Sequence, residues 1–153
     1  ERNDINEIVR TATIVSKNQW KYVANLKMEL APDLPRVLSN ATELHQVVLN
    51  MLVNAVHAIE DKKDRRGLGQ ISIATKLIPG YVELSIGDDG IGIAAENRDR
   101  IFDLFYTTKI PGRGTGQGLS LAHTIVTKNH DGMIDFDSEL GVGTTFSIKL
   151  PVA

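Results

Sequence analysis

Polar side chains recur along one face of the longest apolar segment of the chain. Asn50, Asn54, His57 and Asp61 follow one another at spacings of four, three and four residues, so in a helix they form one narrow stripe. An Asn side-chain oxygen can bind a hard cation without adding charge, and Mg²⁺ commonly takes one or two protein ligands because phosphates and water fill its other positions. The stripe therefore indicates either a magnesium site or amides that cap and bridge neighbouring backbone.

A carboxylate ends the alternating segment "YVELSIGDD". Every second residue from Val82 to Asp88 shares one face of a strand, so Asp88 follows three apolar side chains toward the covered side of a sheet. A buried carboxylate needs hydrogen-bond donors, and the exocyclic amine of a purine is a suitable one. Gly90 and Gly92 would let the backbone turn and a flat ring approach. An ordinary tight turn after a strand explains the same residues.

Four glycines alternate in "GRGTGQGLS", directly ahead of an apolar segment with helical spacing. Gly112, Gly114, Gly116 and Gly118 leave backbone N–H groups open at a predicted helix N-terminus, which favours an anion such as phosphate. Neither the phosphate-loop motif with Gly-Lys-Ser/Thr nor the dinucleotide fingerprint occurs. A flexible linker is the alternative, and the helix that follows at once disfavours it.

An aromatic and basic segment, "RIFDLFYTTK", lies between the two glycine-rich stretches. Phe102, Phe105 and Tyr106 stand close together, with Lys109 and Arg113 just beyond. Such a segment could close over a bound nucleotide and supply positive charge to its phosphates. The alternative is a surface loop anchored by its aromatic residues.

Composition narrows the class of protein. The chain has 153 residues, a formal net charge of −2 and no cysteine, which predicts one globular domain without the basic field of a nucleic-acid-binding protein. The absence of cysteine excludes thiol catalysis, disulfides and cysteine-bound zinc, and it suits a reducing cytosol. Apolar runs are shorter than the roughly 18 residues that span a bilayer, so we expect no direct membrane contact.

Hydrophobic periodicity indicates the elements that position these residues. Helical spacing predicts helices in "DINEIVRTATIVSKNQW", "TELHQVVLNMLVNAVHAIED" and "GLSLAHTIVTKNH". Alternation predicts a strand in "YVANLKMEL", a hairpin of "QISIATKLI" with "YVELSIGDD" around Pro79-Gly80, and two last strands in "GMIDFDSELGVGTTFSIKLP". The sum is an α+β fold, a two-layer α/β sandwich whose mixed, mostly antiparallel sheet is covered by helices on one face.

The order of these motifs resembles that of a known family. "NMLVNA", "DDGIGI", "IFDLFYTTK", "GTGQGLS" and "GVGTTFSIKLP" look like the catalytic ATP-binding domain of a sensor histidine kinase, within the superfamily of gyrase, heat-shock chaperone and mismatch-repair ATPases. The resemblance covers about Asn3 to Pro151 and implies the Bergerat ATP-binding fold. It also implies that residues 1–153 form a single catalytic domain, without the family's helical dimerisation and phosphoacceptor domain.

The same resemblance implies a role for each motif residue. Asn54 would bind Mg²⁺, with Asn50 beside the metal and phosphates, and Asp88 would accept the adenine amino group. The base pocket would be shaped by Gly90, Gly92 and Ile93 and closed by Thr145. The remaining contacts to ATP would come from the second helix, the lid that starts at Phe102 and the phosphate cradle, namely His57, Phe105, Thr107, Thr108, Lys109, Gly114, Thr115, Gly116, Gln117, Gly118 and Leu119.

Four positions depart from the family's common pattern. His57 stands where many members carry a basic residue that contacts phosphate, and Ala58 stands where many carry an aromatic ring beside adenine. Histidine is a weaker and pH-dependent cation, so the contacts from this helix differ from those of such members. Asp89 replaces a common Asn and Gln117 a common Leu, and we expect neither change to abolish binding.

The histidines of the chain do not resemble the family's phosphoacceptor, which precedes an acidic residue at the head of a long helix. Only His130 precedes an acid, Asp131, and it does so in a glycine turn. His45 and His123 show no spacing typical of metal ligands. We therefore expect the chain to bind ATP without autophosphorylating alone. Hydrolysing relatives carry a glutamate where this chain has Asn50, so we also expect little ATP hydrolysis.

The expected function is an ATP-binding phosphodonor domain in two-component signalling, located in the cytosolic portion of a bacterial sensor histidine kinase that can be membrane-anchored. Its partners would be its own dimerisation domain and a response-regulator receiver domain, and the chain alone would be a monomer. Two alternatives stay open. One is a nucleotide-binding regulatory module without phosphotransfer, and the other is a serine-directed kinase of the anti-sigma-factor type.

Overall fold

The computed structural model describes residues 1–103 and 117–152, and these form a helical layer on one face of a five-stranded sheet. The helices are α1 (Ile5–Val15), α2 (Lys17–Trp20), α3 (Ala41–Asp61) and α4 (Gln117–Thr124). The strands are β1 (Arg2–Asn3), β2 (Ala24–Leu30), β3 (Val37–Leu38), β4 (Gly69–Ile78), β5 (Tyr81–Asp88), β6 (Met133–Glu139) and β7 (Gly143–Pro151). The predicted α+β two-layer sandwich is confirmed.

The main sheet is mixed and mostly antiparallel. Its order is β2-β4-β5-β7-β6, and only β2 and β4 run parallel to each other. The predicted hairpin joins β4 to β5 at Pro79-Gly80, where Gly80 has a φ of 82° that favours glycine. Alternate residues of each strand face the helices, and this face forms the core.

Helix α3 is the central element of the helical layer. It begins where the Asn40 side chain accepts a hydrogen bond from the Glu43 backbone N–H at 3.0 Å, a common N-terminal cap. Its predicted apolar stripe is buried against the sheet, since it consists of Leu44, Val47, Val48, Met51, Leu52, Ala55 and Ile59, each at most 4% exposed. Burial of this stripe leaves the neighbouring polar stripe at the rim of the layer.

The N-terminal helix α1 is tied to the sheet by a buried polar network. Asn6 is 6% exposed, donates from Nδ2 to the Ala31 carbonyl at 2.7 Å and accepts from the Thr75 hydroxyl at 2.7 Å. The Thr75 hydroxyl accepts in turn from the Ala31 N–H at 3.0 Å. Each polar group in this network therefore has a partner, as buried groups require.

Three features of the structure have no counterpart in the sequence-based prediction. Strands β1 and β3 pair antiparallel as a separate two-stranded sheet, a 3₁₀ helix covers Ala95–Arg100, and α4 widens into a π-helical turn at Ile125–Asn129.

Within residues 1–103 and 117–152, every helix is too short or too polar to cross a bilayer.

Candidate functional site

The polar stripe of α3 faces the beginning of α4. Asn50 donates from Nδ2 to the Gly118 carbonyl at 3.2 Å and accepts at Oδ1 from the Gln46 side chain at 2.7 Å. Asn54 and His57 continue the stripe toward the C-terminal end of α3, and both are half-buried. Asn50 therefore lies beside the first turn of α4, where unpaired backbone N–H groups favour an anion.

Asp88 ends β5 on the face of the sheet that α3 covers. Its carboxylate accepts the Gly90 N–H at 2.8 Å and a hydrogen bond from the Thr144 backbone. Burial raises the pKa of Asp88 from an ordinary 3.8 to about 6. The neighbouring charge of Asp89 contributes to this rise, and the two backbone donors act against it. At neutral pH this is an ionised and partly desolvated carboxylate, which a ligand's N–H donor would stabilise.

Residues 90–92 form a loop that follows Asp88 and packs against α3. The Ile91 N–H donates to the Ala58 carbonyl at 2.9 Å, and a Cβ on Gly90 would lie 2.4 Å from the Ala58 carbonyl carbon. A Cβ on Gly92, whose φ is 77°, would lie 2.2 Å from the Glu139 carbonyl oxygen. Both glycines are therefore required by close backbone packing, whether or not a ring also approaches them.

Thr145 is not where the sequence analysis placed it. In the β5–β7 ladder Thr145 pairs with Gly87 and is exposed on the open face of the sheet. Thr144 pairs with Asp88 and is 5% exposed on the covered face. The prediction that Thr145 closes the base pocket is wrong by one residue, because neighbouring residues of a strand point to opposite faces, and Thr144 occupies the position beside Asp88.

The described part of the aromatic segment is anchored in the core. Phe102 lies 4.9 Å from the His123 ring, 6.1 Å from the Phe136 ring and 6.3 Å from the Phe146 ring, centroid to centroid. Leu119, on α4, packs against the same core. Several predicted nucleotide contacts lie outside the described residues, namely Phe105, Thr107, Thr108, Lys109, Gly114, Thr115 and Gly116, while Gln117 begins α4.

The site has two ends, and α3 connects them. The Asp88 loop contacts α3 at Ala58, and α4 contacts it at Asn50. Eight residues of helix separate these contacts, which is about 12 Å along the axis. A ligand lying along this face would meet a hydrogen-bond-accepting carboxylate at one end and amide donors at the other. That length and polarity suit a nucleotide with its base at Asp88 and its phosphates near Asn50.

A metal ion in this site would depend on the ligand for most of its donors. Within residues 1–103 and 117–152, the structure contains no cluster of three or more His, Cys, Asp or Glu side chains that could hold a metal. The Asn50 oxygen is already engaged by Gln46. An amide oxygen has a second lone pair, so both Asn54 and Asn50 fit Mg²⁺ whose other donors are phosphate oxygens and water.

Two residues at the site were not singled out from the sequence. Thr144 could have been found by extending the strand alternation back from Phe146 and Ile148, which are buried. Ser138, on β6, accepts the Ile93 N–H at 2.8 Å. The sequence carries no signal for that contact, because it joins a loop residue to a strand residue 45 positions away.

His130 is a structural residue, as the sequence analysis expected. It is 8% exposed, its Nε2 accepts the Asn40 N–H at 3.0 Å, and its Nδ1 lies 2.9 Å from the Ile125 carbonyl oxygen. These partners fix the neutral tautomer with the proton on Nδ1. A ring with both nitrogens engaged inside the fold is a poor phosphoryl acceptor.

Comparisons with known proteins agree with the fold. Residues 39–153 match the family of histidine kinase-, DNA gyrase B- and HSP90-like ATPases, and the chain belongs to that family. The sensor histidine kinase ZraS of Escherichia coli (strain K12) is 35% identical over 150 residues, which are 97% of this chain and 30% of ZraS. The chain thus spans less than a third of that relative.

Solved structures give the same result. The catalytic domain of the histidine kinase ThkA superposes with a TM-score of 0.83 at 27% identity, covering 99% of this chain and 94% of that domain. Full-length ShkA, solved in complex with AMPPNP, superposes with a TM-score of 0.82 at 26% identity, covering 100% of this chain and 31% of ShkA. The resemblance to the catalytic domain of sensor histidine kinases is confirmed.

Proposed function

We propose that this chain is the phosphodonor domain of a sensor histidine kinase. It binds Mg-ATP and positions the γ-phosphoryl group for transfer to a histidine on a separate helical dimerisation domain. The observation that supports this function best is the face of α3, which carries the Asp88 loop at Ala58 and the first turn of α4 at Asn50. The spacing suits one nucleotide held at both ends.

Each end of the site has a defined task in this proposal. The Asp88 carboxylate accepts the adenine amino group and so sets base preference. The amides of Asn50 and Asn54 and the N-terminal turn of α4 hold the phosphates and Mg²⁺, with His57 as a further donor toward them. Bound Mg-ATP supplies the transferable phosphoryl group. The residues of the chain contribute position and charge compensation, which are the main requirements of phosphoryl transfer.

Hydrolysis should be slow in this site. Asn50 stands four residues before Asn54, where hydrolysing relatives carry a glutamate that activates water. A neutral amide that donates to Gly118 and accepts from Gln46 cannot remove a proton from water. The bound γ-phosphoryl group is therefore retained until an acceptor histidine arrives.

Two observations support the proposed partners. The chain belongs to a family that includes histidine kinases, and it spans only part of the length of its relatives. We propose that residues 1–153 act as one catalytic domain, that a helical dimerisation domain of the same kinase carries the acceptor histidine, and that a response-regulator receiver domain takes the phosphoryl group onward. The whole kinase would keep this domain in the cytosol. ZraS is more than three times as long as the matched segment, so a kinase of that length can contain these further domains.

Phosphotransfer in trans tests the proposal. The chain is incubated with labelled Mg-ATP and a dimerisation-domain fragment of a sensor histidine kinase, with an acceptor His→Gln fragment and Asn54→Ala as matched controls. We expect label on the wild-type fragment alone, labile to acid and stable to base. Acid-stable label would indicate a serine-directed kinase. Nucleotide binding without any label on cognate fragments would support a regulatory module.

A further inference from the structure

The Ser138 hydroxyl on β6 joins three segments around the Asp88 pocket. It accepts the Ile93 N–H at 2.8 Å, lies 3.1 Å from the Gly143 carbonyl oxygen and lies 2.8 Å from the Thr144 hydroxyl. Ser138 itself is partly buried on β6, and Thr144 is 5% exposed. A single hydroxyl on β6 therefore connects the loop after β5 to the start of β7, including the pocket residue Thr144.

The contacts of Thr144 extend this connection to Asp88. A hydroxyl has one proton and two acceptor lone pairs, so Ser138 accepts from Ile93 and donates to either Gly143 or Thr144. In both arrangements the Thr144 hydroxyl is held by Ser138, while the Thr144 backbone donates to the Asp88 carboxylate. The path from Ile93 to Asp88 is thus a continuous set of hydrogen bonds through Ser138.

The backbone of Ser138 makes a related contact. Its carbonyl accepts the Arg98 guanidinium, which also lies over the Phe136 ring at 6.0 Å from the centroid. Arg98 belongs to the 3₁₀ helix that leads to Phe102. A second contact nearby joins the Gly141 N–H to the Ile91 carbonyl at 2.6 Å. The β6–β7 turn therefore supports residues 91–98 through both side chain and backbone.

We propose that Ser138 is a positioning residue for base recognition. Its hydroxyl holds Ile93 and Thr144 in fixed positions relative to Asp88, so that the carboxylate meets an adenine amino group in the correct plane. Ser138 touches no base itself. This inference rests on the proposed function. It assigns part of the base preference of the same nucleotide site to a residue that acts through the position of Asp88.

Three substitutions test this role by calorimetric titration of ADP and IDP, whose hypoxanthine ring lacks the exocyclic amine. Ser138→Ala removes the hydroxyl, Ser138→Thr keeps it, and Ser147→Ala is a matched control on the open face of β7, where Ser147 pairs with Ser85 and Asp135. We expect Ser138→Ala to weaken ADP binding about five- to tenfold and IDP binding less. Its preference for ADP over IDP should fall accordingly, while the other two variants keep the wild-type preference.

Amide hydrogen exchange gives a readout that does not depend on ligand. In Ser138→Ala the Ile93 N–H loses its acceptor, so its exchange should become about tenfold faster or more, and Ser138→Thr should restore it. Should Ser138→Ala fail to fold, Ser138→Cys keeps the volume with a poor hydrogen-bonding group and is measured in the same way.

Two results would overturn the inference. One is a Ser138→Ala protein with wild-type Ile93 exchange and wild-type preference for ADP over IDP. The other is an equal loss for both nucleotides, which would mean a general structural role. If the wild-type domain binds neither nucleotide, the proposed function fails and this inference fails with it.

Discussion

Asp88 meets two opposing demands at the end of β5. In the proposed function the ionised carboxylate accepts a hydrogen bond from a base, yet its surroundings favour the neutral form, because burial raises its pKa to about 6. The two backbone donors offset only part of this penalty. Ligand-binding groups are often destabilising in the free protein, and the position of Asp88 is such a case.

The stability of the unliganded domain should reflect this cost. Since the folded pKa of about 6 exceeds the unfolded 3.8, the protonated Asp88 favours folding, and this contribution is lost as pH rises through 6. In Asp88→Asn the penalty is absent. We expect the free energy of unfolding of the variant, relative to that of the wild type, to increase by up to about 3 kcal/mol as the pH rises from 4 to 7.5. Urea denaturation measures both free energies.

The reverse pH trend would contradict the burial of Asp88. If the advantage of Asp88→Asn shrinks as pH rises, ionised Asp88 stabilises the fold and its surroundings are more polar than the structure indicates. Asp135→Asn is the matched control, because Asp135 is exposed on the open face of β6.

Individual residues were predictable from the sequence where a period fixed their direction. The 3.6-residue period of α3 placed Asn50 in the polar stripe beside the buried one, and the period of two placed Asp88 on the covered face. Thr145 was chosen over Thr144, although the same period assigns Thr144 to the face of Phe146. Ser138 could not be found, because the Ile93 N–H reaches it only once β6 lies beside the loop.

At the scale of elements, the loop after β5 is fixed in place by its packing on α3. Gly90→Ala would put a Cβ 2.4 Å from the Ala58 carbonyl carbon, and neither backbone can yield without separating the loop from the helix. We expect a loss of at least about 2 kcal/mol in the free energy of unfolding and loss of ADP binding, measured by urea denaturation and calorimetry.

Gly118→Ala tests the packing of α4 on α3 at a position where the structure has room for a methyl group. A Cβ on Gly118 would meet only Asn50 Cβ and Cγ, both at 3.8 Å, and alanine favours a helix over glycine by up to about 1 kcal/mol. This variant should be as stable as the wild type or more stable. A drop in stability similar to that of Gly90→Ala would contradict the described packing of α4 on α3.

The buried network under α1 should contribute to stability without affecting the site. Asn6→Ala removes the partner of the Ala31 carbonyl and of the Thr75 hydroxyl, which should cost about 2–3 kcal/mol of unfolding free energy. ADP affinity at a temperature where the variant is folded should match the wild type. The control is Asn25→Ala, on the exposed face of β2. An unchanged unfolding midpoint in Asn6→Ala would show that the network is not formed in solution.

Elements with long, regular patterns were predicted well. The stripe of α3, the β4–β5 hairpin and the β6–β7 pair all follow from periodicity and turn residues. Strands β1 and β3 have two residues each, too few to show alternation, and they form because Arg2 and Asn3 come to lie beside Leu38 and Val37. The π-helical turn after α4, where His130 Nδ1 lies 2.9 Å from the Ile125 carbonyl oxygen, is likewise absent from the local sequence pattern.

At the scale of the molecule, the sheet and the helical layer enclose one core, and the proposed nucleotide site lies at the edge of the helical layer, along α3. The apolar stripe of α3 is buried within the domain, and the resemblance implies that dimerisation belongs to the separate helical domain. We therefore expect a monomer in sedimentation equilibrium at tens of micromolar. A stable dimer would contradict this expectation and would require a self-complementary surface.

The central claim is that α3, the Asp88 loop and the start of α4 form one nucleotide site. The most direct test is calorimetric titration of Mg-ADP and of a non-hydrolysable ATP analogue into the wild type and Asp88→Ala. The account predicts saturable one-to-one binding by the wild type and binding at least about tenfold weaker in a folded Asp88→Ala domain. Equal affinity in the two proteins, or no binding by a folded wild type, would contradict it.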